Sequence, residues 1–427
     1  MKIAITTDLY YPMINGVATF SFNLAHGLAK LGHDVVVLAP SITGDFAIET
    51  DGRFRVVRLP SIRLPFYPDQ IEQIPEARRL FGQKIPQIIY PHGIHVSFYP
   101  YPEIKKFLDD WQPDIIHNQT PGPLALSVYR YAKKRHVPIV ATGHAYPDNL
   151  TAQIRFIGVA RRPLNTVVRK YYTTFLTRAE YATMPTQLAI RDLAPKKRRP
   201  AQPIEPLSNG VDLSRFRPAK PAKSLYQKYR LPPNKPIILY VGRLDAEKSL
   251  SVLLRAFAKL RSQRPALPNS LCSECPDTHL VLVGDGSDRR NLQALAHRLG
   301  IADSVLFTGK IIGADLPKIY RAASIFAITS TTETQSIVTI EALATGLPAV
   351  AVNAGALSEL VEDQQNGFLV PPNNVPAFAA ALQKILADPK LARRMSGHSL
   401  TVARRHDLAQ TLTRLLEIYR SIAKGSS

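Results

Sequence analysis

The chain has 427 residues, of which 45% are hydrophobic, and a formal net charge of +21 at pH 7. This length exceeds one ordinary domain and fits two domains of roughly 200 residues, each able to bury its own core. No run of 18 apolar residues is present, so the sequence predicts no membrane-spanning helix. The first residues, MKIAITTDLYYP, make a poor signal peptide and a good first strand.

The N-terminal part alternates predicted strands and helices. IAITTD reads as a strand, TFSFNLAHGLAKLG as an amphipathic helix and DVVVLAP as the next strand. Such a βαβ opening implies a parallel sheet covered by helices. Further short strands are predicted at 113–117, 137–142 and 180–185, whereas the Pro- and Tyr-rich stretch 60–105 is predicted to be irregular surface.

Basic residues concentrate between 151 and 200, where eleven Lys/Arg stand against Glu180 and Asp192. Such a patch attracts polyanions, either nucleic acid or an anionic lipid surface. The patch lacks interleaved aromatic platforms and any nucleic-acid module, so we expect no nucleic-acid partner. Within it, PLNTVVRKYYTTFLTR predicts an amphipathic helix that either faces lipid or, as we favour, packs on the sheet, and IRFIGVARR is the better membrane candidate.

Pro and charge density mark a linker near residues 194–206, and a second α/β series follows. Its apolar, β-branched strand runs are PIILYVGRL, THLVLVGDG, SVLFTGK, SIFAITS, LPAVAV and GFLVPP, and its helical runs include SLSVLLRAFAKLRSQ and RRNLQALAHRLG. We therefore predict two Rossmann-like domains, 1–204 and 205–407, with parallel sheets facing a central cleft. The tail, 408–424, has helical periodicity and is expected to pack back on the first domain.

The chain has two cysteines, Cys272 and Cys275, which argues against a disulfide-built secreted protein and favours a reducing cytoplasm. Their CxxC spacing suggests zinc or redox chemistry, but His279 alone does not complete a zinc set. The pair also lies in a Pro-rich stretch that is typical of a surface loop. We expect no functional role for it.

Four places that follow predicted strands supply groups suited to one anionic ligand. Gly16 allows close backbone approach, although an Asn-Gly pair is also a common turn. His144 follows the strand IVAT, where a structural role is the alternative. Arg243 and Lys248 suit a diphosphate, unless they only form surface ion pairs with Asp245 and Glu247.

The fourth place is TTETQSIVTIEALATGLPAV, which predicts a short helix from Ser336 to Leu343 that ends at Gly346. Glu333 would lie in the loop before this helix. The backbone N–H groups of Ser336, Ile337 and Val338 would form an anion site at its start. Glu341, more than a turn inside, would reach a ribose hydroxyl pair; the alternative is an ordinary surface helix.

Together these elements resemble the retaining glycosyltransferases of family 4, which have the GT-B fold. The resemblance rests on PMINGVATF, ATGH, LSNGVDLSRF, YVGRLDAEKS, LVGDGSDRRNL, VLFTGKI and the long segment from ETQSIVTIEALATG to NGFLVPP. This chain has Asn15-Gly16 where the family often has Gly-Gly, and Gln335-Ser336 where it often has Phe-Gly. ETQ and LPSIRLPFYP are similar to the diacylglycerol glucosyltransferase subgroup.

The resemblance implies a role for each matched residue. Gly16 would contact the donor through its backbone, His144 would lie beside the transferred sugar, and Arg243 and Lys248 would hold the diphosphate. Glu333 would bind sugar hydroxyls, Glu341 the ribose, and the base would lie near Lys310 and Ile311.

The same resemblance implies transfer of a hexose, UDP-glucose being the best guess, to a lipid such as diacylglycerol at the inner face of the cell membrane. No cofactor is expected, and a metal is not needed because Arg243, Lys248 and helix amides replace it in a chain without Asp-x-Asp. The alternatives are a GDP-mannose-dependent mannosyltransferase acting on a phosphoinositide-type lipid or a soluble glycan, and a nucleic-acid-binding protein. A nicotinamide-dependent oxidoreductase would need GxGxxG after the first strand, and TTDLYYPMINGV does not supply it.

Overall fold

The computed structural model describes residues 1–13, 15–64, 94–144, 161–193, 202–262 and 277–423. The chain forms two compact units. The first comprises Met1–Asn209 together with Ala409–Ser427, and the second comprises Gly210–Leu408. The chain therefore leaves the first unit, builds the second, and returns.

Ten strands are described in the first unit: β1 Lys2–Thr6, β2 Asp34–Pro40, β3 Ala47–Asp51, β4 Phe54–Leu59, β5 Ile62–Leu64, β6 Ile94–Val96, β7 Ile115–Asn118, β8 Ile139–Thr142, β9 Tyr181–Met184 and β10 Ile204–Pro206. Eight of these form one sheet in the order β10-β9-β8-β7-β1-β2-β4-β3. Its neighbours run parallel except for the antiparallel pair β3–β4, while β5 and β6 form a separate antiparallel pair. The sheet order reverses at β1, so the carboxyl ends of β1 and β7 form a topological switch point, where such sheets bind ligands.

The helices of the first unit before residue 209 are α1 Gly16–Lys30, α2 Tyr101–Trp111, α3 Pro123–Arg135, α4 Arg161–Thr177 and α5 Gln187–Leu193. α4 buries Tyr172, Phe175 and Leu176, as packing on the sheet requires. Its Val167 and Tyr171 stay exposed. The amphipathic helix is thus packed along one face, and its outer face carries both apolar and basic residues.

The second unit contains a parallel sheet of six strands: β11 Ile237–Val241, β12 His279–Val283, β13 Val305–Gly309, β14 Ile325–Ile328, β15 Ala349–Val352 and β16 Gly367–Val370. Their order is β13-β12-β11-β14-β15-β16, so the switch point lies between β11 and β14. The covering helices are α6 Lys223–Lys228, α7 Leu250–Ser262, α8 Arg289–Arg298, α9 Leu316–Ala322, α10 Ile337–Ala344, α11 Leu357–Leu360, α12 Val375–Ala387 and α13 Pro389–Arg404. Most strand residues are buried, and the partly buried ones lie mainly in the edge strands β13 and β16, which explains the continuous apolar runs of the inner strands.

The last helix, α14 Leu408–Ala423, joins the first unit. Tyr419 of this helix is fully buried, and its hydroxyl lies 2.6 Å from Nδ1 of His117 on β7. The second nitrogen of His117 lies 2.7 Å from Oγ1 of Thr142 on β8. A chain of buried hydrogen bonds therefore ties the C-terminal helix to the middle of the first sheet.

The predicted mixed α/β fold with parallel sheets is confirmed, and each strand run named in the second half coincides with a strand. Three local predictions were wrong. The stretch 60–105 contains β5, β6 and the start of α2. The predicted linker reaches into β10, which pairs with β9. α1 begins at Gly16, before the predicted helix start at Thr19. Pro-rich composition hides short paired strands, because an edge or ribbon strand tolerates Pro.

Cys272, Cys275, the IRFIGVA part of the membrane candidate and the basic residues at 196–199 lie outside the described residues. Across the part of the chain that the structure describes, no helix is long and apolar enough to cross a membrane.

Candidate active site

Lys248 and Glu333 meet at the switch point of the second unit. Lys248 ends a short 3-10 helix, Ala246–Lys248, that follows β11, and Glu333 lies between β14 and α10. The Lys248 amine is 2.8 Å from Oε1 of Glu333 and 3.5 Å from Oγ of Ser330. The loops that follow two adjacent parallel strands thus bring an acid and a base together.

The pair is largely shielded from water, with side-chain exposures of 15% for Lys248 and 16% for Glu333. Burial by itself raises the pKa of Glu333, but the charge and hydrogen bond of Lys248, aided by Ser330, bring the pKa below its ordinary value. The Glu333 carboxyl is therefore ionised at neutral pH. Thr329, at the end of β14, donates a 2.9 Å hydrogen bond to the Lys248 carbonyl and so anchors its backbone.

Arg243 lies two residues after β11 and forms ion pairs with Asp245 and Glu247. Glu247 is also 3.7 Å from the Lys248 amine, so one carboxylate stands between the two cations. A guanidinium has five N–H donors and an ammonium three, which leaves both groups able to bind phosphate oxygens while these pairs persist. The ion pairs with Asp245 and Glu247 that formed the alternative interpretation are thus present.

The helix α10 begins one residue later than predicted, at Ile337, because Ser336 adopts a left-handed conformation with φ of +70°. Ser336 Oγ lies 2.8 Å from Oγ1 of Thr339, inside the first turn. Ile337 and Val338 therefore supply the first N–H groups of the helix, which have no intrahelical carbonyl to bind. These groups and the positive end of the helix dipole form an anion-binding geometry.

Glu341 lies one turn into α10 and is 7% exposed. It accepts a 2.7 Å hydrogen bond from the buried hydroxyl of Tyr320 on α9. Burial raises the pKa of Glu341 to about 7, although Tyr320 and the charge of Arg215 oppose the shift. The carboxyl group is consequently half ionised near neutral pH, in contrast to that of Glu333.

Lys310 and Ile311 follow β13, two strands away from the switch point. Lys310 is exposed, whereas Ile311 is 5% exposed and belongs to the core of the second unit. Of these two residues, Lys310 is the one whose side chain lies at the surface of the unit.

Gly16 and His144 belong to the first unit. Gly16 is the first residue of α1, whose cap is Asn15, and the Asn15 side chain accepts a 2.9 Å hydrogen bond from the Ala18 amide. Phe20, one turn further, packs against the His144 ring with centroids 5.1 Å apart. His144 follows β8, and burial lowers its pKa to about 3, so its imidazole is neutral at physiological pH.

Asp8, which the sequence reading did not single out, follows β1 at the switch point of the first unit. It accepts a 2.7 Å hydrogen bond from Thr120 and a 3.4 Å bond from the amide of Leu124, at the start of α3. Burial raises its pKa to about 6. A side chain at Gly122 would overlap its carboxylate. The sequence could have singled out Asp8, because polar residues directly after the first parallel strand lie where ligands bind.

Two family descriptions match the chain. Residues 222–399 match glycosyl transferases group 1, and residues 14–101 and 80–215 match glycosyltransferase family 4. The matched segments contain the Lys248–Glu333 pair, the helix α10, and His144, which follows β8. The chain belongs to glycosyltransferase family 4.

Two relatives show how the glycosyltransferase compares over most of its length. It is 28% identical over 405 residues to the alpha-monoglucosyldiacylglycerol synthase of Streptococcus pneumoniae, covering 94% of this chain and 81% of that protein. It is 27% identical to the GDP-mannose-dependent alpha-mannosyltransferase of Mycolicibacterium smegmatis, covering 96% and 94%. The sucrose-phosphate synthase structure from Thermosynechococcus elongatus superposes with a TM-score of 0.74 at 21% identity, covering 99% of both chains. That likeness shows the GT-B fold.

The structure separates the predicted site residues of the glycosyltransferase into two sets. Within the second unit, Lys248 and Glu333 are in direct contact, Arg243 is linked to them through Glu247, and Glu341 lies one turn into α10. Within the first unit, His144 and α1, which Gly16 begins, meet through Phe20. The sequence reading missed Tyr320 and Gln119, which hold Glu341 and His144; no local pattern signals them, because both contacts join distant parts of the chain.

Proposed function

We propose that the enzyme transfers a hexose from a nucleotide-diphosphate sugar to a membrane lipid with retention of anomeric configuration, with UDP-glucose as donor and diacylglycerol as acceptor. The observation that carries this proposal is the largely shielded Lys248–Glu333 pair beside the start of α10. It places a fixed cation, an ionised carboxylate and helix N–H groups at one switch point. That combination suits a sugar joined to a diphosphate.

Each group in this arrangement has a task. Lys248 and Arg243 neutralise the diphosphate, and the N–H groups of Ile337 and Val338 bind its oxygens. Glu333 accepts hydrogen bonds from sugar hydroxyls, and Glu341 accepts them from the ribose once its proton is lost. Lys310 and Ile311 flank the base, and Gly16 and His144 contact the donor and the transferred sugar.

The transfer step exchanges one bond to the anomeric carbon for another on the same face. The bond from the anomeric carbon to the diphosphate oxygen breaks while the acceptor oxygen bonds to that carbon. The acceptor proton moves to the departing diphosphate, whose negative charge Lys248 and Arg243 stabilise. With these cations in place the step runs without a metal, so activity should survive a chelator.

The acceptor assignment rests on the pneumococcal relative, whose name describes a glucosyldiacylglycerol product, and on the basic first unit. α4 carries the exposed residues Val167, Arg169, Lys170 and Tyr171 on its outer side. A surface of this kind binds anionic bilayers at about 1 kcal/mol per Lys or Arg near the surface. We place the enzyme at the inner face of the cell membrane as a peripheral protein.

A second candidate is a GDP-mannose-dependent mannosyltransferase acting on a phosphoinositide-type lipid or a soluble glycan, which the mycobacterial relative favours. A donor panel of UDP-glucose, UDP-galactose and GDP-mannose, scored by nucleotide release with diacylglycerol micelles, decides between them. We expect release with UDP-glucose. Release with GDP-mannose alone selects the second candidate, and no release with any donor overturns the assignment of this site.

A further inference from the structure

Gln119 stands beside His144 in the first unit. It follows β7 directly, is 1% exposed, and its backbone amide donates a 2.8 Å hydrogen bond to the Thr6 carbonyl on the neighbouring strand. Its side-chain Oε1 lies 2.7 Å from Nε2 of His144. A buried residue anchored at both backbone and side chain has a defined position.

This contact determines which nitrogen of His144 carries the proton. Burial keeps the imidazole neutral, and the amide oxygen of Gln119 accepts hydrogen bonds but cannot donate them. Nε2 of His144 therefore bears the hydrogen, and Nδ1 keeps its lone pair. Nε2 of another buried histidine, His117 on β7, lies 2.7 Å from Oγ1 of Thr142 on β8.

The amide nitrogen of the Gln119 side chain makes no hydrogen bond within the part of the chain that the structure describes. This nitrogen is buried. Leaving a buried amide donor without a partner is energetically costly, so such groups call for an explanation. A bound oxygen atom would satisfy it, and the neighbour of this amide is the imidazole assigned to the transferred sugar.

We propose that Gln119 and His144 form a two-residue unit that binds a substrate hydroxyl. Oε1 of Gln119 fixes the tautomer and orientation of His144, and the amide NH2 of Gln119 donates to an oxygen of the transferred sugar or of the acceptor. The substrate contact rests on the proposed function. The orientation of His144 rests on the fold alone.

Three variants separate the two tasks. Gln119→Glu keeps an oxygen for His144 but removes the NH2 group, whereas Gln119→Leu removes both. Thr183→Val is the matched control, because Thr183 is equally buried, lies in the same sheet and hydrogen-bonds Thr142 at 2.7 Å without touching His144. Gln119→Leu and Thr183→Val each lose one buried side-chain hydrogen bond, so a purely structural effect should appear in both.

The orientation is read from the 15N spectrum of histidine-labelled protein. We expect the His144 signals to report the Nε2–H tautomer in the wild-type enzyme and in Thr183→Val, and to change in Gln119→Leu. An unchanged His144 spectrum in Gln119→Leu overturns the orienting role. This measurement needs no substrate, so it remains decisive if the proposed donor and acceptor are wrong.

The substrate contact is read from kcat and from the KM of each substrate. We expect Gln119→Glu and Gln119→Leu to lose about tenfold or more in kcat/KM while Thr183→Val stays within about twofold of wild type. A rise confined to the donor KM assigns the oxygen to the sugar, and a rise confined to the acceptor KM assigns it to the acceptor. Wild-type kinetics in both Gln119 variants overturn the contact. A wild-type enzyme that transfers no sugar instead removes the proposed function.

Discussion

The amine of Lys248 lies 2.8 Å from Oε1 of Glu333, and the two residues are separated by 85 positions in the sequence. Each carries a charge that would be costly to bury alone, and each compensates the other. The parallel sheet creates this contact, because β11 and β14 are hydrogen-bonded neighbours whose carboxyl ends meet at one edge.

Removing either charge should therefore leave the other charge without its compensation. Glu333→Gln is expected to abolish transfer while the circular dichroism spectrum stays native. Lys248→Met removes the cation that compensates the largely shielded carboxylate of Glu333, which costs about 3–5 kcal/mol in comparable sites and lowers the unfolding midpoint. The double variant Lys248→Met/Glu333→Gln should unfold at a higher temperature than Lys248→Met alone, because it no longer holds an uncompensated carboxylate. Full activity in Glu333→Gln would show that the site has been misplaced.

The pH dependence of this pair has a definite sign. The pKa of Glu333 is lower in the folded protein than in the unfolded chain, so its contribution to stability is present above the ordinary value of 4.5. It is lost as the pH falls through the folded pKa. The difference in melting temperature between wild type and Glu333→Gln should accordingly shrink in acid.

Glu341 should behave in the opposite way. Its pKa rises from 4.5 in the unfolded chain to about 7 in the folded protein. Between these values the unfolded chain releases a proton that the folded protein retains, so stability falls as the pH rises and stays lower above pH 7. Glu341→Gln keeps an acceptor for Tyr320 and removes this loss, on the order of 3 kcal/mol. Its melting temperature should match wild type at pH 4 and exceed it at pH 8; a constant difference across this range contradicts the prediction.

Ser336 holds a left-handed backbone conformation at the start of α10. Glycine adopts this conformation without strain, whereas a β-branched side chain opposes it. Ser336→Gly should retain activity and lose only the Oγ contact with Thr339. Ser336→Val should displace the first turn of α10 and raise the KM for the donor at least several-fold. Equal donor KM values in the two variants would show that the conformation of this residue does not control the helix start.

The backbone of Glu333 is packed against Gly355, where φ is +53° and an added Cβ would lie 2.8 Å from the Glu333 carbonyl oxygen. Gly355→Ala should shift the Glu333 loop, reducing kcat and stability together, by about 1–3 kcal/mol for the latter. Gly397→Ala is the control, since nothing lies within 4 Å of its added Cβ and it sits inside α13. That control should keep full activity and melt at an equal or slightly higher temperature.

Much of this architecture was predictable because buried parallel strands leave long apolar runs in a sequence. β2 spans the predicted DVVVLAP, and Glu333 lies before a helix that ends at Ala344, close to the predicted end. Contacts between distant residues were not predictable. Nothing near Glu341 specifies Tyr320 as its partner, and nothing near His144 specifies Gln119. The ribbon of β5 and β6 was missed because each strand has three residues, too few to show a period.

The placement of α14 has a consequence for biosynthesis. A ribosome delivers residues 1–209 well before Tyr419, so β7 is complete while the hydrogen-bond partner of His117 Nδ1 does not yet exist. The first unit therefore matures last although it is translated first. While the second unit is made, α14 does not yet cover the first unit and Nδ1 of His117 lacks its partner. A nascent chain arrested before residue 409 should consequently be more sensitive to protease in its first unit than the finished enzyme.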